Sequence, residues 1–479
     1  MDALNSGALS SEALLDALLA RVDAQNPKIN AIVAQDREAA RERARAADAA
    51  RAAGENWGPL HGLPMTIKDT FEVPGMITAA GSPALAGHRP KQAAEAVQRL
   101  IDAGAIIYGK TNVPYLAADF QSYNKVYGCT HNPWNIARTP GGSSGGAAAA
   151  LAAGFTHAEL GSDIGGSLRN PAHYCGVYSH KPSYGLISLR GHIPGPPGTL
   201  SRSDLAVAGP MARSAEDLKL LMDVLAAPSG ADQRAWHLQL PECDWPVERF
   251  RVLAWLEDPS CPTEAAQHQQ LQAAAKALQA AGAQVDYGAP EGVPGLREQY
   301  GEFLNLLAAV MGGGAPAKLY RQMQWASRWA RLRGKVAPDS LLGYATAGTQ
   351  SHRDWLRANE KREQLRAAWE QVFERYDLIL MPVTPTPAPR HQHEGNLFSR
   401  KLPVNGVPRP YADHMSWIAP ATLNLLPVTT APVGMVDGLP VGLQIVGPYL
   451  QDRRCIRLAE HLQQLLPAMG YPEQPVSGS

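Results

Sequence analysis

Two serines stand in glycine-rich turns a short way apart, Gly142-Ser143-Ser144-Gly145 and Ile164-Gly165-Gly166-Ser167. Glycine opens backbone conformations closed to other residues and lets a ligand approach the main chain. Successive N–H groups in such a turn can hold an oxyanion, so a serine there could serve as a nucleophile in acyl transfer. Gly and Ser are also common in purely structural turns. A hydroxyl nucleophile needs a base. Lys68 closes the apolar run Gly62-Leu63-Pro64-Met65-Thr66-Ile67-Lys68-Asp69. A lysine there is ordinarily a solvated strand end. In a dry pocket it becomes a base, provided its pKa falls from about 10.4 to near neutrality, a shift of roughly 4 kcal/mol.

Other chemistries fit less well. No Gly-Lys-Ser/Thr follows the Gly/Ser loop, so a phosphate cradle is not expected. The 14 histidines include no H-E-x-x-H. His391 and His393 fall in a Pro-rich loop expected at the surface, and neither a metal nor another cofactor is expected. Residues 141–145 formally match the G-x-S-x-G nucleophile elbow, with His414 as the candidate base. That elbow needs a strand before it, and 135–140 carries chain breakers instead.

These residues must be held by regular elements. Leu14, Leu15, Leu18, Leu19 and Val22 recur at helical spacing, with Ser10 and Ser11 able to cap. A second helix, rich in Ala, Arg and Glu, is expected over 35–53. Strand-like runs at 65–67 and 105–108 flank a helical period at 93–103, the strand–helix–strand pattern of an α/β sheet. The Gly/Ser loop 139–146 opens a short buried helix over 147–153, closed by Gly154. The Pro/Gly loop 189–205 is of the kind that rims active sites. A helix follows at 214–225. Residues 226–376 read as a variable helical region over one edge of the core. A buried strand is expected at 378–383. The runs 428–433 and 441–446 flank Asp437-Gly438, a hairpin signal with an intervening loop longer than two residues.

Lys plus Arg and Asp plus Glu number 44 each, so no electrostatic grip on nucleic acid or membrane is expected. No run of apolar residues reaches membrane-spanning length. Residues 1–22 lack a basic stretch followed by an apolar one, so no signal peptide is expected. The five cysteines, Cys129, Cys175, Cys243, Cys261 and Cys455, form no C-x-x-C pair and are expected to be reduced and mostly buried. These features fit a cytoplasmic enzyme.

The blocks GLPMTIKDTFEVPGMITAAGS, RTPGGSSGGAAAALAAG and ELGSDIGGSLRNPAHYCGVYSHKPSYG resemble, in order and separation, the three signature blocks of the amidase signature family. The likeness is clear over 57–190, fair over the first helix and over 377–458, which includes GLPVGLQIVG, and poor over 226–376. One departure is Val113-Pro114-Tyr115, where many members have Val-Pro-Glu; it touches packing or the pocket.

The resemblance implies an α/β fold, a large mixed β-sheet core covered on both faces by helices. It implies one domain over 1–479, with 226–376 forming part of the substrate pocket. It also implies a Ser–Ser–Lys triad with Ser167 as nucleophile, Ser143 as bridging serine after a cis peptide bond, and Lys68 as base. The N–H groups of Ile164, Gly165, Gly166 and Ser167 would form the oxyanion hole. Ser144, Asp163 and Arg169 would brace the loops. The expected substrate is a small-molecule carboxamide, or else a carbamate or ester, with no cofactor. The alternative within the family is the glutamine-hydrolysing subunit of a tRNA-dependent amidotransferase. A non-enzymatic scaffold is the remaining reading, opposed by the intact Lys68, Ser143 and Ser167. A homodimer is open. Tyr320, Trp325, Trp329, Tyr411 and Trp417 are candidates for the pocket or the core, with loop 189–205 and the region 300–420 shaping the pocket.

Overall fold

The computed structural model describes residues 1–334 and 336–472. Among these, eleven strands form one mixed sheet. Their spatial order is Ile32–Gln35, Ile106–Thr111, Pro64–Lys68, Ala158–Asp163, Val207–Ala212, Tyr178–Lys181, Val428–Val436, Leu439–Val446, Leu378–Pro382, Arg251–Ala254 and Gln284–Tyr287. Pro64–Lys68 runs parallel to both its neighbours, and so does Arg251–Ala254. The other pairs are antiparallel.

Successive strand side chains point to opposite faces, and helices cover both. Ile107 packs with Val97 and Leu100 of the helix Glu95–Asp102. Ile106 and Tyr108 face the other way, against Leu15 and Leu18 of Ser11–Ile29 and Ala149 and Ala150 of Gly145–Ala152. Leu378 and Leu380 divide from Ile379 and Met381 in the same manner, the latter pair meeting Trp369 and Phe373. This is the α/β architecture, with a large mixed sheet, that the resemblance implies.

The expected helices and strands of the first 225 residues are present. Ser10 caps Ser11–Ile29 by accepting from the Ala13 amide at 3.1 Å. Ser214 caps Ala215–Leu225 in the same way.

Two expectations need correction. The stretch 226–376 is not only helical: Arg251–Ala254 and Gln284–Tyr287 end the sheet at one edge, and long helices such as Leu296–Gly313 and His352–Arg375 follow. The C-terminal hairpin is also tighter than expected. Its strands extend to Val436 and Leu439, leaving Asp437 and Gly438 alone in the turn at φ 50° and 73°. Paired positive φ values match the twist of the flanking strands, and Asp-Gly supplies them.

Candidate active site

Lys68 is the last residue of the Pro64–Lys68 strand, third from the sheet edge, and is fully buried. The parallel neighbour Ala158–Asp163 ends beside it. Lys68 Nζ donates to Ser143 Oγ at 2.8 Å, to Ser162 Oγ at 3.0 Å and to the Ser162 carbonyl at 3.3 Å. Burial pulls its pKa down to about 7, against the opposing pull of Asp163 and Glu159. Burial in turn pushes Glu159 up to about 8, although Thr66 Oγ1 donates to it at 2.6 Å. A protonated Glu159 no longer holds a proton on Lys68. Once Lys68 is neutral it gains a lone pair, and the 2.8 Å contact can reverse so that Ser143 donates to Nζ.

Ser143 and Ser144 lie just before the wholly buried helix Gly145–Ala152, and the Gly142–Ser143 peptide is cis. Glycine is needed at 146 for space. A Cβ there would lie 2.3 Å from the Asn112 amide nitrogen and 2.5 Å from its carbonyl oxygen. The helix can therefore press its first turn against the end of the Ile106–Thr111 strand.

Ser167 sits in the turn between the Ala158–Asp163 strand and the helix Arg169–Cys175. The two serine turns are joined through the main chain: the Ser144 amide donates to the Ser167 carbonyl at 3.2 Å, and Ser144 Oγ to the Ser162 carbonyl at 3.3 Å. Gly166 takes a φ of 99°, which favours glycine.

Asp163 and Arg169 brace this turn as an entirely buried pair. Arg169 Nε and Nη2 reach the two Asp163 oxygens at 3.1 and 2.9 Å. Burial alone would raise the Asp163 pKa, but Arg169 and the amides of Leu168 and Gly166 outweigh it and hold the carboxyl at about 2. The Gly166 amide donates to Asp163 Oδ1 at 2.9 Å, so it is already committed. The amides of Ile164, Gly165 and Ser167 donate to no other described residue.

Ser167 opens onto a cavity of about 1040 Å³, whereas Lys68 and Ser143 lie behind it. The wall is largely apolar, with Ile164, Leu304, Leu307, Met311, Phe398 and Met415. Its charged lining residues are Asp119, Lys125, Asp339 and Arg400; Arg400 Nη1 meets Asp119 Oδ2 at 2.6 Å, and Asp339 Oδ2 meets Arg297 at 2.7 Å. Tyr115, the departure from the signature blocks, also lines it.

The expected contribution of 300–420 to the cavity is therefore present, but the named aromatics do not supply it. Tyr411 and Trp417 are core residues, and Trp325 and Trp329 are 66% and 50% exposed. Loop 189–205 does not line this cavity. It backs Lys68 instead, with His192 Nε2 2.9 Å from Ser162 Oγ. Burial, with the neighbouring Lys68 charge, holds His192 down to about 3, so the ring is neutral. Neither Ser162 nor His192 stands out in the sequence, although Ser162 falls inside the third signature block. His414 turns to the Tyr411 carbonyl at 2.7 Å and stacks on Phe120, so the nucleophile-elbow reading has no base at Ser143.

A buried lysine thus touches one serine, and a second serine lines an apolar cavity, at the ends of neighbouring strands of a mixed α/β sheet. The Amidase family model matches residues 13–456. The chain belongs to the amidase signature family, hydrolases of amide C–N bonds. It is 34% identical to a glutamyl-tRNA(Gln) amidotransferase subunit of Anaeromyxobacter sp. (strain K), over 98% of this chain and 95% of the relative. A solved amidase structure superposes with a TM-score of 0.77 at 31% identity, covering 97% of this chain and 98% of the other. Another was solved as part of a vestigial protein complex bearing on the origins of an s-triazine catabolic enzyme. It gives a TM-score of 0.78 at 30% identity, covering 97% and 96%. No described helix is long and apolar enough to cross a membrane.

Proposed function

We propose that this protein hydrolyses a carboxamide through an acyl-enzyme on Ser167. The observation that carries the reading is the 2.8 Å contact of buried Lys68, with its pKa near 7, to Ser143. Neutral Lys68 takes a proton from Ser143 as Ser143 takes one from Ser167. Ser167 Oγ attacks the carbonyl carbon. The resulting oxyanion is stabilised by the free amides of Ile164, Gly165 and Ser167, with Gly166 holding the turn through Asp163. Ser143 then passes its proton to the leaving nitrogen and is reprotonated from Lys68. The C–N bond breaks and the amine departs. Water, deprotonated by the same relay, attacks the acyl-enzyme and releases the acid. Fluorophosphonate labelling followed by peptide mass mapping tests the assignment. The adduct belongs on Ser167; an adduct on Ser143 would overturn it.

The identity of the amide divides into two readings. Likeness to the glutamyl-tRNA(Gln) amidotransferase subunits favours glutamine as the amide and a place in a larger assembly, and the comparisons support this more strongly than a free-standing amidase of linear amides. The cavity favours an apolar amide, because Ile164, Leu304, Leu307, Met311, Phe398 and Met415 make up much of its wall around Ser167. Glutaminase activity that appears only with partner proteins supports the first. Hydrolysis of apolar amides by the chain alone supports the second.

A further inference from the structure

A second group of reactive side chains lies outside the Lys68 network. Two short pairs, Cys129-Thr130-His131 and His391-Gln392-His393, come together from distant parts of the chain. Donor atoms of Cys129, His131 and His391 all lie within 4.8 Å of one another. Cys129 Sγ is 3.7 Å from His391 Nδ1 and 3.6 Å from His393 Nε2. His131 Nδ1 is 3.2 Å from His391 Nε2, the ring nitrogen opposite the one that faces Cys129, and 2.9 Å from the Ile136 carbonyl, so an ion shared by the three takes a single nitrogen from each ring. Zinc–sulfur and zinc–nitrogen bonds of about 2.3 and 2.0 Å set a tetrahedral S···N edge of about 3.5 Å. The Cys129 separations are close to that edge.

We propose that Cys129, His131 and His391 bind one zinc-type divalent cation, with solvent completing the shell. One thiolate with imidazoles is a donor set that suits zinc, cobalt and copper rather than magnesium or calcium. The two segments are already fixed against each other, which favours binding. Gln121 holds residue 392 by both its backbone groups, at 2.8 and 2.9 Å. Tyr123 stacks on His393 at 4.2 Å. The His391 amide donates to the Ala137 carbonyl at 3.4 Å. Binding forms a metal–sulfur bond and releases the Cys129 thiol proton to solvent.

The site would act as a clip. On one side it holds the Tyr123–Asn124 and Gly128–Cys129 hairpin. On the other it holds the loop that carries Leu397, Phe398 and Arg400 into the cavity wall. Metal would then set the rigidity of that wall without touching Ser167.

Cobalt(II) titration of chelator-stripped full-length protein tests this. The expected result is a sulfur-to-cobalt charge-transfer band and tetrahedral d–d bands that saturate at one equivalent and are displaced by zinc. Cys129→Ser should lose the charge-transfer band, and His391→Ala should lose stoichiometric binding. Both variants should keep fluorophosphonate labelling of Ser167, which reports folding. Absence of a saturable band in the unaltered protein overturns the proposal, as does a band that persists in Cys129→Ser. If either variant fails to fold, the titration of the unaltered protein decides alone.

Discussion

Replacing Lys68 with alanine has an effect whose size follows from the burial of the amine. An ordinary lysine with a pKa of 10.5 is neutral in about one molecule in 3000 at pH 7, whereas Lys68 near 7 is neutral in about half. Burial thus supplies the base population at a cost of roughly 5 kcal/mol of protonation free energy. Acylation of Ser167 should rise with pH through a limb near 7 and level off above it. Lys68→Ala should lower the acylation rate about 10²- to 10⁴-fold, the usual worth of a positioned base, and should abolish the limb. The assay is the pH dependence of acylation by an activated ester or a fluorophosphonate, followed under single-turnover conditions. A limb that stays near pH 7 in Lys68→Ala would refute the reasoning, because some other group would then be the one titrating. The stability consequence has a definite sign. The folded pKa lies below the unfolded one, so between pH 7 and 10.5 the unfolded chain holds the extra proton and stability rises with pH. Below pH 7 the full burial cost is borne, so Lys68→Met should stabilise the protein more at pH 6 than at pH 9 by urea unfolding.

Ser167→Ala should remove turnover while leaving the urea midpoint unchanged; retained activity would sink the nucleophile assignment. Arg169→Met leaves Asp163 buried and unpaired and should cost about 3–5 kcal/mol, read from urea unfolding; a loss below about 1 kcal/mol would contradict the pairing described. Gly146→Ala places a methyl group against the Asn112 backbone and should destabilise by about 1–3 kcal/mol or more, checked by thermal unfolding. Leu307→Asp puts a charge on the apolar wall and should raise KM for apolar amides at little cost to fluorophosphonate labelling. Equal losses in both would mean that the fold was damaged.

Local patterns carried much of the fold. The flanking strands Pro64–Lys68 and Ile106–Thr111 and the helix between them were legible because apolar spacing and turn residues agree there. The short strands Arg251–Ala254 and Gln284–Tyr287 were not. Four residues hold too little alternation to stand out from the neighbouring helical periods, and partners far along the chain decide their pairing. In the site, the signature blocks pointed to Lys68, Ser143 and Ser167. The contacts around Lys68 were another matter: burial of the amine and the Ser162–His192 contact depend on loops that meet only in three dimensions. Aromatic residues, left between pocket and core, divide for the same reason: Tyr411 and Trp417 are core, whereas Trp325 and Trp329, alike in sequence character, are exposed. Cys129 and His391 carry compact ligand-like pairs, yet their meeting across the fold leaves no local trace.

Arg169 has more to satisfy than Asp163. Its remaining donors reach the Ile418 carbonyl and Gln444 Oε1, both at 3.0 Å, and Thr422 Oγ1 at 2.7 Å. All three acceptors are synthesised late. A nascent chain that has emerged only as far as residue 417 already contains Lys68, Ser143 and Ser167, yet offers this guanidinium none of these three acceptors. Production of the protein on the ribosome therefore carries a built-in delay: the Ser167 turn acquires its final support only when the C-terminal hairpin, with Gln444, joins the sheet.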